Sequence, residues 1–393
     1  MSDWRLAIDE HIDAISDRLL GIRRHLHSHP EPSREEFEST RYLGNQLLAA
    51  GLPYKILLEG RGIIAGSSLS AEGRAVALRA DMDALRIQDR KEVAYRSERA
   101  GVMHACGHDA HSTMVLGAAL ALQQCDDLFP WPVPWRAIFQ PAEEVGEGAL
   151  QMVAAGAVEG VRSIVALHVA PELQVGRVAL RRGVMTAFCQ EFDVTIRGVG
   201  GHAARPHLTH DPIAASAQYI SSIYQLIPRS IDSRDAVVVT FGAIAGGTSS
   251  NVIPDRVTLR GTIRTLGHAT AAKVRERLLQ IAGGVAEATL CFIDLSFSIG
   301  TDAVVNDTNI SDLCRQAAEE VVGIDQVESI PLPSMGAEDF SGYLSQAPGC
   351  LLRLGVASGE RWPALHSPDF DIDERALALG AKILARSAVL LAR

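Results

Sequence analysis

Ala75-Val-Ala-Leu-Arg79-Ala-Asp81-Met-Asp83 is a short β-prone run followed by two carboxylates. The same order, an apolar run and then an acid or an imidazole, returns twice. Arg136-Ala-Ile-Phe139 precedes Glu143 and Glu144, and Ser163-Ile-Val-Ala-Leu167 precedes His168. Between these runs lie stretches with helical spacing, from about His111 to Gln124 and from about Glu147 to Ala155. Such alternation predicts an α/β fold, a mainly parallel sheet with helices on both faces. In an open sheet of this kind the ligand crevice lies outside the carboxyl ends of the strands, so these acids and the imidazole are expected to converge.

Upstream, Ile8, Ile12, Ile15, Leu19, Ile22 and Leu26 follow spacings of three and four and predict one amphipathic helix from Trp4 to Leu26. After about Thr186 the texture changes. Phe192 to Arg197 alternates like a half-exposed strand, Asp211-Pro212 opens a helix with a cap and a proline, and Ala236 to Phe241 and Arg256 to Arg264 read as strands. With a helix from Ala269 to Val285 and a strand near Phe292 to Leu295, this predicts an inserted α+β domain over 187–298. The first domain is then discontinuous, 1–186 and 299–393, and Leu351-Leu-Arg-Leu-Gly355 rejoins its sheet. A chain of 393 residues exceeds what one core usually supports, which agrees with two domains.

Hydrophobic residues make up 47% and charged residues 21%, the composition of a globular protein. The balance of 37 Lys+Arg against 47 Asp+Glu repels phosphate backbones, so neither nucleic acid nor an anionic membrane is expected as a partner. Apolar stretches such as Ala376 to Leu391 are broken by Lys382 and Arg386 and fall short of a membrane span. Six scattered cysteines do not form a disulfide framework, and acids stand where a secretory signal has basic residues. The expected compartment is the cytoplasm, and the expected partner a small molecule.

The chemistry concentrates in Met103-His-Ala-Cys-Gly-His-Asp-Ala-His111, where Cys106 and His108 stand two residues apart on a glycine-containing loop before a helix. A thiolate and an imidazole suit Zn²⁺ and the acids suit Mn²⁺, so the donor types leave the metal open. An isolated Cys-x-His pair is as readily a buried cysteine and a helix cap. Ligand-type residues at the ends of neighbouring strands favour the metal reading. Adjacent residues after a strand point different ways, so of Glu143 and Glu144 one can bind metal while the other faces an activated water. The plain alternative is a pair of solvated acids at a helix N-terminus. His366, in Leu365-His-Ser-Pro-Asp369, completes the set or is a surface-loop histidine. His25, His27 and His29 end a helix with no acids fixed beside them and read as caps or supports. Gly198 to His207 lacks the strand-GxGxxG-helix order of a phosphate loop and reads as a hairpin or bulge.

Seven segments in order carry a resemblance: Arg-Arg-His-Leu-His-Ser-His-Pro-Glu at 23–31, Arg-Ala-Asp-Met-Asp-Ala-Leu at 79–85, the Cys106 segment at 103–111, Gln-Pro-Ala-Glu-Glu at 140–144, Gly-Gly-His-Ala-Ala at 200–204, Gly-Gly-Thr-Ser-Ser-Asn-Val-Ile-Pro at 246–254 and Met-Gly-Ala-Glu-Asp-Phe at 335–340. Together they resemble the M20 metallopeptidase family, in its amidohydrolase subfamily of aminoacylases, hippurate hydrolases and auxin-conjugate hydrolases. The resemblance implies two divalent ions (Zn, Mn, Ni or Co) held by Cys106, His108, Glu144, His168 and His366, with Glu143 as general acid/base. It implies that the inserted domain is a lid and a homodimer surface, with a tetramer of paired dimers as the larger option. His202 would stabilise the oxyanion in its own or the partner's site, and Asn251 would meet the substrate's carboxylate. The wider superfamily has a His-x-Asp metal motif where this chain has Asp81-Met82-Asp83, which leaves Asp83 to orient a ligand. Arg86 replaces a usual proline and Gly342-Tyr343 a frequent aromatic pair, so substrate choice stays open.

The implied reaction is hydrolysis of an N-acyl amino acid (N-acetyl, N-benzoyl or similar) to a carboxylic acid and a free amino acid. The alternatives are a metallo-dipeptidase or carboxypeptidase, and a non-catalytic ligand-binding protein on the same scaffold. A binding protein has no use for a proton-shuttling Glu143 beside Glu144.

Overall fold

In the computed structural model, which describes residues 3–67, 69 and 74–393, the run that begins at Ala75 lies near the middle of an eight-stranded sheet. Its strands are β1 (Tyr54–Ile56), β2 (Ile63–Ala65), β3 (Ala75–Asp81), β4 (Trp135–Gln140), β5 (Val161–Gln174), β6 (Val178–Leu180), β7 (Val327–Ser329) and β8 (Gly349–Ala357). They run in the order β1-β2-β4-β3-β5-β8-β6-β7. The four central strands, β4, β3, β5 and β8, are mutually parallel, and β1, β2 and β6 supply the antiparallel pairings. Every residue of β3 and β4 is buried, as expected of strands covered on both faces.

The side chains alternate between two cores. Val76 and Leu78 of β3, Val165 and Leu167 of β5, and Leu352 and Leu354 of β8 pack with the helices Trp4–Ala14, Ser16–Ser28, His108–Gln124 and Arg375–Leu391. Ala77, Ile164, Ala166 and Leu351 face the other way, toward Ala149 and Met152 of the helix Gly148–Ala154 and toward Phe340 and Tyr343.

Three local readings change. The N-terminal amphipathic stretch is two helices separated at Ile15, whose φ of -101° and ψ of 9° leave the helical range. The strand ahead of Asp81 does not stop at Arg79 but includes Asp81 as its last residue. His168 does not close its strand either, because β8 stays paired beside β5 as far as Gln174. The pairing of β3 with β5 ends at Arg79 and Ala166, so His168 lies beyond the paired part of β3, level with Asp81 at its carboxyl end.

The chain divides into two units, one of residues up to 185 with 304–332 and 339–393, the other of 186–303 with 333–338. The second unit thus runs five residues past the limit of 298 read from the sequence and takes in a short segment left in the first domain. Its antiparallel sheet has four strands in the order Val237–Gly246, Arg256–Thr265, Phe188–Arg197 and Phe292–Phe297. Helices Pro212–Ser230 and His268–Thr289 pack on it around Phe192, Val194, Tyr219, Ile223, Val274 and Leu278. Asp211 caps the first of these, its Oδ1 accepting from the Ile213 amide at 2.8 Å. Among the described residues, no helix is long and apolar enough to cross a membrane.

One buried charge network ties the helix Ser16–Ser28 to the rest of the first unit. The Arg23 guanidinium donates to Asp109 Oδ2 (2.9 Å), Asp371 Oδ1 (2.6 Å) and Glu374 Oε1 (3.1 Å), and His27 Nδ1 lies 2.7 Å from the same Asp109 oxygen. Burial opposes the charge on Asp109, but Arg23 and His27 outweigh it and hold the carboxyl well below the usual aspartate range. Asp109→Ala leaves the Arg23 charge buried without this partner, and a loss of about 3–5 kcal/mol of unfolding free energy is expected, read by urea unfolding. Because the folded carboxyl titrates below its unfolded value of about 3.9, this contribution is present above that pH and lost as pH falls through the folded value.

Candidate metal centre

Gly107, the residue before the helix His108–Gln124, has φ +87°, and a Cβ there would lie 2.5 Å from Val169 Cγ2. Only glycine lets the loop pass this close to β5 in that conformation. The approach brings Cys106 Sγ to 3.5 Å from His168 Nε2. Past the carboxyl end of the neighbouring β4, His108 Nε2 lies 3.8 Å from Glu144 Oε1 and 3.9 Å from Glu143 Oε2. His366 Nε2 lies 3.6 Å from Glu144 Oε1. The donor atoms form overlapping groups, Cys106 with His108 and His168, Cys106 with Glu144 and His366, and His108 with Glu143 and Glu144, each within 4.8 Å.

Neighbouring groups set the ring tautomers. His168 Nδ1 donates to the Val169 carbonyl at 2.7 Å, which leaves the Nε2 lone pair toward Cys106. His108 Nδ1 lies 2.9 Å from the Asp83 carbonyl and 3.2 Å from Asp83 Oδ1, so in the neutral, ligating ring the Nε2 lone pair faces the two glutamates. This is the arrangement in which an outer carboxylate or carbonyl orients an imidazole ligand. Asp83 also accepts from Ser33 Oγ (2.7 Å) and from the Glu144 amide (3.0 Å).

The residues fit a metal. His108 Nε2 and Glu144 Oε1 are both buried and neither has a hydrogen-bond partner. Unsatisfied buried groups cost about 1–3 kcal/mol each, and a cation between them would satisfy both. Burial pushes the Cys106 thiol and the Glu144 carboxyl up, which favours their neutral forms until a cation is present. Burial, with Arg353 nearby, pulls His168 well down and keeps it in the neutral, ligating form. Sulfur, nitrogen and oxygen donors side by side suit a divalent cation.

Asp81 reaches the site as expected but is held there by other partners. Its Oδ1 lies 3.8 Å from His108 Nε2, yet its carboxylate is already engaged by Arg79 Nη1 (2.7 Å) and His111 Nδ1 (2.6 Å). His111 Nε2 accepts from the Val169 amide at 2.9 Å, so both of its nitrogens are in use. The pair braces β5 beside His168, whose ring centroid is 4.6 Å from that of His111.

Two residues without a role in the sequence reading hold the site together. Asp339 accepts from Arg79 Nη2 (2.8 Å), Gln140 Nε2 (2.8 Å) and the Ala149 amide (3.0 Å), fastening β3 to β4 and to the following helix. Glu36 accepts from the Ala142 amide at 2.7 Å. Of the three discounted histidines, His27 lies in the buried Arg23 network, and His25 stacks on Tyr42 with ring centroids 3.9 Å apart.

His202 and Asn251 belong to the second unit. The strand Gly201–His202 pairs with Val252–Ile253, and the Ala203 amide donates to the Asn251 carbonyl at 3.0 Å, so the two residues share one ladder end. The glycine-rich segment is thus a strand and turn, not a phosphate loop. His202 Nδ1 accepts from the Ala204 amide at 3.1 Å, which puts the proton of the neutral ring on Nε2 and makes that nitrogen a donor.

Strand-end donors around a buried, unsatisfied imidazole and carboxylate define a metallohydrolase site. Residues 77–389 match the model of peptidase family M20/M25/M40, and the chain belongs to that family. It is 36% identical over 378 residues to an N-acetyl-L-cysteine deacetylase of Bacillus subtilis, covering 96% of this chain and 89% of the relative. It is 38% identical over 379 residues to an IAA-amino acid hydrolase of Arabidopsis thaliana, covering 95% and 85%. The crystal structure of a dinuclear metal binding peptidase of the M20 family from Bacillus subtilis superposes with a TM-score of 0.82 at 31% identity, covering 96% and 99%. The chain is a hydrolase acting on amide bonds, with a site for divalent metal ions.

Proposed function

We propose that this chain hydrolyses N-acyl amino acids to a carboxylic acid and a free amino acid, using two divalent ions held by Cys106, His108, Glu144, His168 and His366. The observation that carries the reading is the pair of adjacent carboxylates, Glu143 Oε2 at 3.9 Å and Glu144 Oε1 at 3.8 Å from one imidazole nitrogen. One can hold metal while the other moves a proton. The similarity to a deacetylase of an N-acetyl amino acid and to a hydrolase of IAA-amino acids supports an acyl amino acid as substrate.

Bound ions supply Lewis acidity, which lowers the pKa of water and polarises the amide carbonyl. Glu143 accepts the proton of the attacking water and delivers it to the leaving amine. Its Oε1 faces the Asp339 amide at 3.5 Å, so the carboxylate has a defined position before substrate arrives. His202 donates from Nε2 to the developing oxyanion. The Asn251 side chain, whose Oδ1 accepts from Ser249 Oγ at 2.6 Å, meets the substrate's carboxylate. Asp83 orients His108.

The second unit acts as a lid and as a homodimer surface. Its outer strand Val237–Gly246 is paired on one side among the described residues and exposes Val238 and Ile244, which suits edge pairing with another copy. The ions are of the Zn, Mn, Co or Ni type, because thiolate, imidazole and carboxylate donors accept each of these.

A panel of N-acetyl, N-benzoyl and indoleacetyl amino acids beside dipeptides, assayed with each metal, tests the substrate class. Higher kcat/KM on the acyl amino acids is expected. Preference for the dipeptides would support the peptidase reading, which the likeness to the B. subtilis M20 peptidase favours. Cys106→Ala is expected to lower metal occupancy in elemental analysis while the fold survives. Full occupancy would remove Cys106 from the ligand set.

A further inference from the structure

The two glutamates enter the site on a turn whose backbone is unusual. Ala142, immediately before Glu143, has φ +56°, a left-handed conformation that a residue with a Cβ adopts at a cost. Two carboxylates hold that turn by alternate amides. Asp83 Oδ2 accepts from the Glu144 amide at 3.0 Å, and Glu36 Oε1 accepts from the Ala142 amide at 2.7 Å. Glu143 lies between the two anchored amides. Glu36 is fully buried at the start of the helix Phe37–Ala49, three residues after Ser33, whose hydroxyl donates to Asp83. Its second oxygen, Oε2, has no hydrogen-bond partner, and the nearest cation is Arg61 Nη1 at 3.9 Å.

We propose that Glu36 is a positioning residue for the metal centre: by accepting the Ala142 amide it sets the turn from which Glu143 and Glu144 reach into the site. This rests on the reading of Glu144 as a ligand and Glu143 as the proton carrier. What Glu36 supplies is an oxygen acceptor in a fixed place rather than a negative charge. Burial, with the Asp83 carboxylate adding to it, lifts the Glu36 carboxyl to about 7, so near neutral pH part of the population carries a neutral acid. The carbonyl oxygen of a neutral acid accepts the amide as well as a glutamine oxygen does. Without an acceptor, the Ala142 amide is a buried, unsatisfied donor, and the left-handed residue keeps only the bonds its carbonyl accepts from the Glu147 and Gly148 amides.

The test compares Glu36→Gln and Glu36→Ala with wild type in three measurements: affinity of the metal-free chain for Co²⁺ by calorimetry, the visible spectrum of the Co²⁺ form, and kcat and KM on an N-acyl amino acid. Glu36→Ala is expected to weaken Co²⁺ binding by about 10- to 100-fold, alter the spectrum and lower kcat by a similar factor with KM changed less. Glu36→Gln is expected to keep the affinity within about threefold and to retain the wild-type spectrum, since it keeps the acceptor. A purely structural role would lower the melting temperature of both metal-free variants without separating their affinities. Wild-type affinity and kcat in Glu36→Ala, or equal losses in both variants, would overturn the proposal. If wild type binds Co²⁺ but cleaves no substrate, the hydrolase reading fails, while the affinities and spectra still decide the role of Glu36. Should Glu36→Ala fail to fold, the glutamine variant decides: lost affinity in a folded Glu36→Gln overturns the proposal.

Discussion

Glu143→Gln is expected to lower kcat by about 10²- to 10⁴-fold while metal content and KM stay close to wild type. The substitution conserves size and the acceptor that faces the Asp339 amide, so the turn is not disturbed. What it removes is the ability to take a proton from water and return it to the amine. Metal retention follows from the ligand set, in which Glu144 rather than Glu143 lies beside both His108 and His366. A variant that loses its metal but keeps its activity would overturn both the assignment of Glu143 as proton carrier and the dependence on metal. Loss of both would show that Glu143 is a ligand.

His202→Ala is expected to reduce kcat by about 10²- to 10³-fold, the usual effect of removing one oxyanion donor, with metal content unchanged. The Ala204 amide fixes the ring so that Nε2 carries the proton, and His202→Gln, which retains a donor, is expected to recover part of the loss. If His202 acts across a dimer, mixing His202→Ala with Glu143→Gln protein restores some turnover, because one mixed site then has both groups intact. Absence of rescue after proven subunit exchange places the histidine in its own chain's site.

The parts of this site that were legible in the sequence are those whose residue type carries the chemistry. Glu143, Glu144 and His168 follow β-prone runs whose parallel strands bring their carboxyl ends together, and Cys106 and His108 stand at the start of the helix that follows β3. The fold class follows from the same runs, since β3 and β4 are mostly apolar and buried along their whole length. The pairing of Asp81 is not legible in the same way, because a strand-end carboxylate does not announce its partner. The signal was nonetheless present: Arg79 stands two residues earlier on the same strand face and neutralises it. Glu36 was invisible for another reason. In Glu35-Glu36 the two acids look alike, yet Glu35 pairs with Arg86 and the exposed Arg99, whereas Glu36 meets a backbone amide, and backbone amides have no residue type. The segment 333–338 is not legible as part of the second unit because links to that unit run through its backbone carbonyls, Gly336 accepting from the Ala187 amide and Met335 from Arg264, which leaves no periodic pattern.

The most direct test is the rate of hydrolysis of an N-acyl amino acid as the chelated, metal-free chain is titrated with Mn²⁺, Zn²⁺, Co²⁺ or Ni²⁺, with bound metal counted by elemental analysis. The expected result is no turnover in the metal-free chain and a rise that saturates near two ions per chain. Turnover that survives complete metal removal would contradict a metal-dependent amidohydrolase.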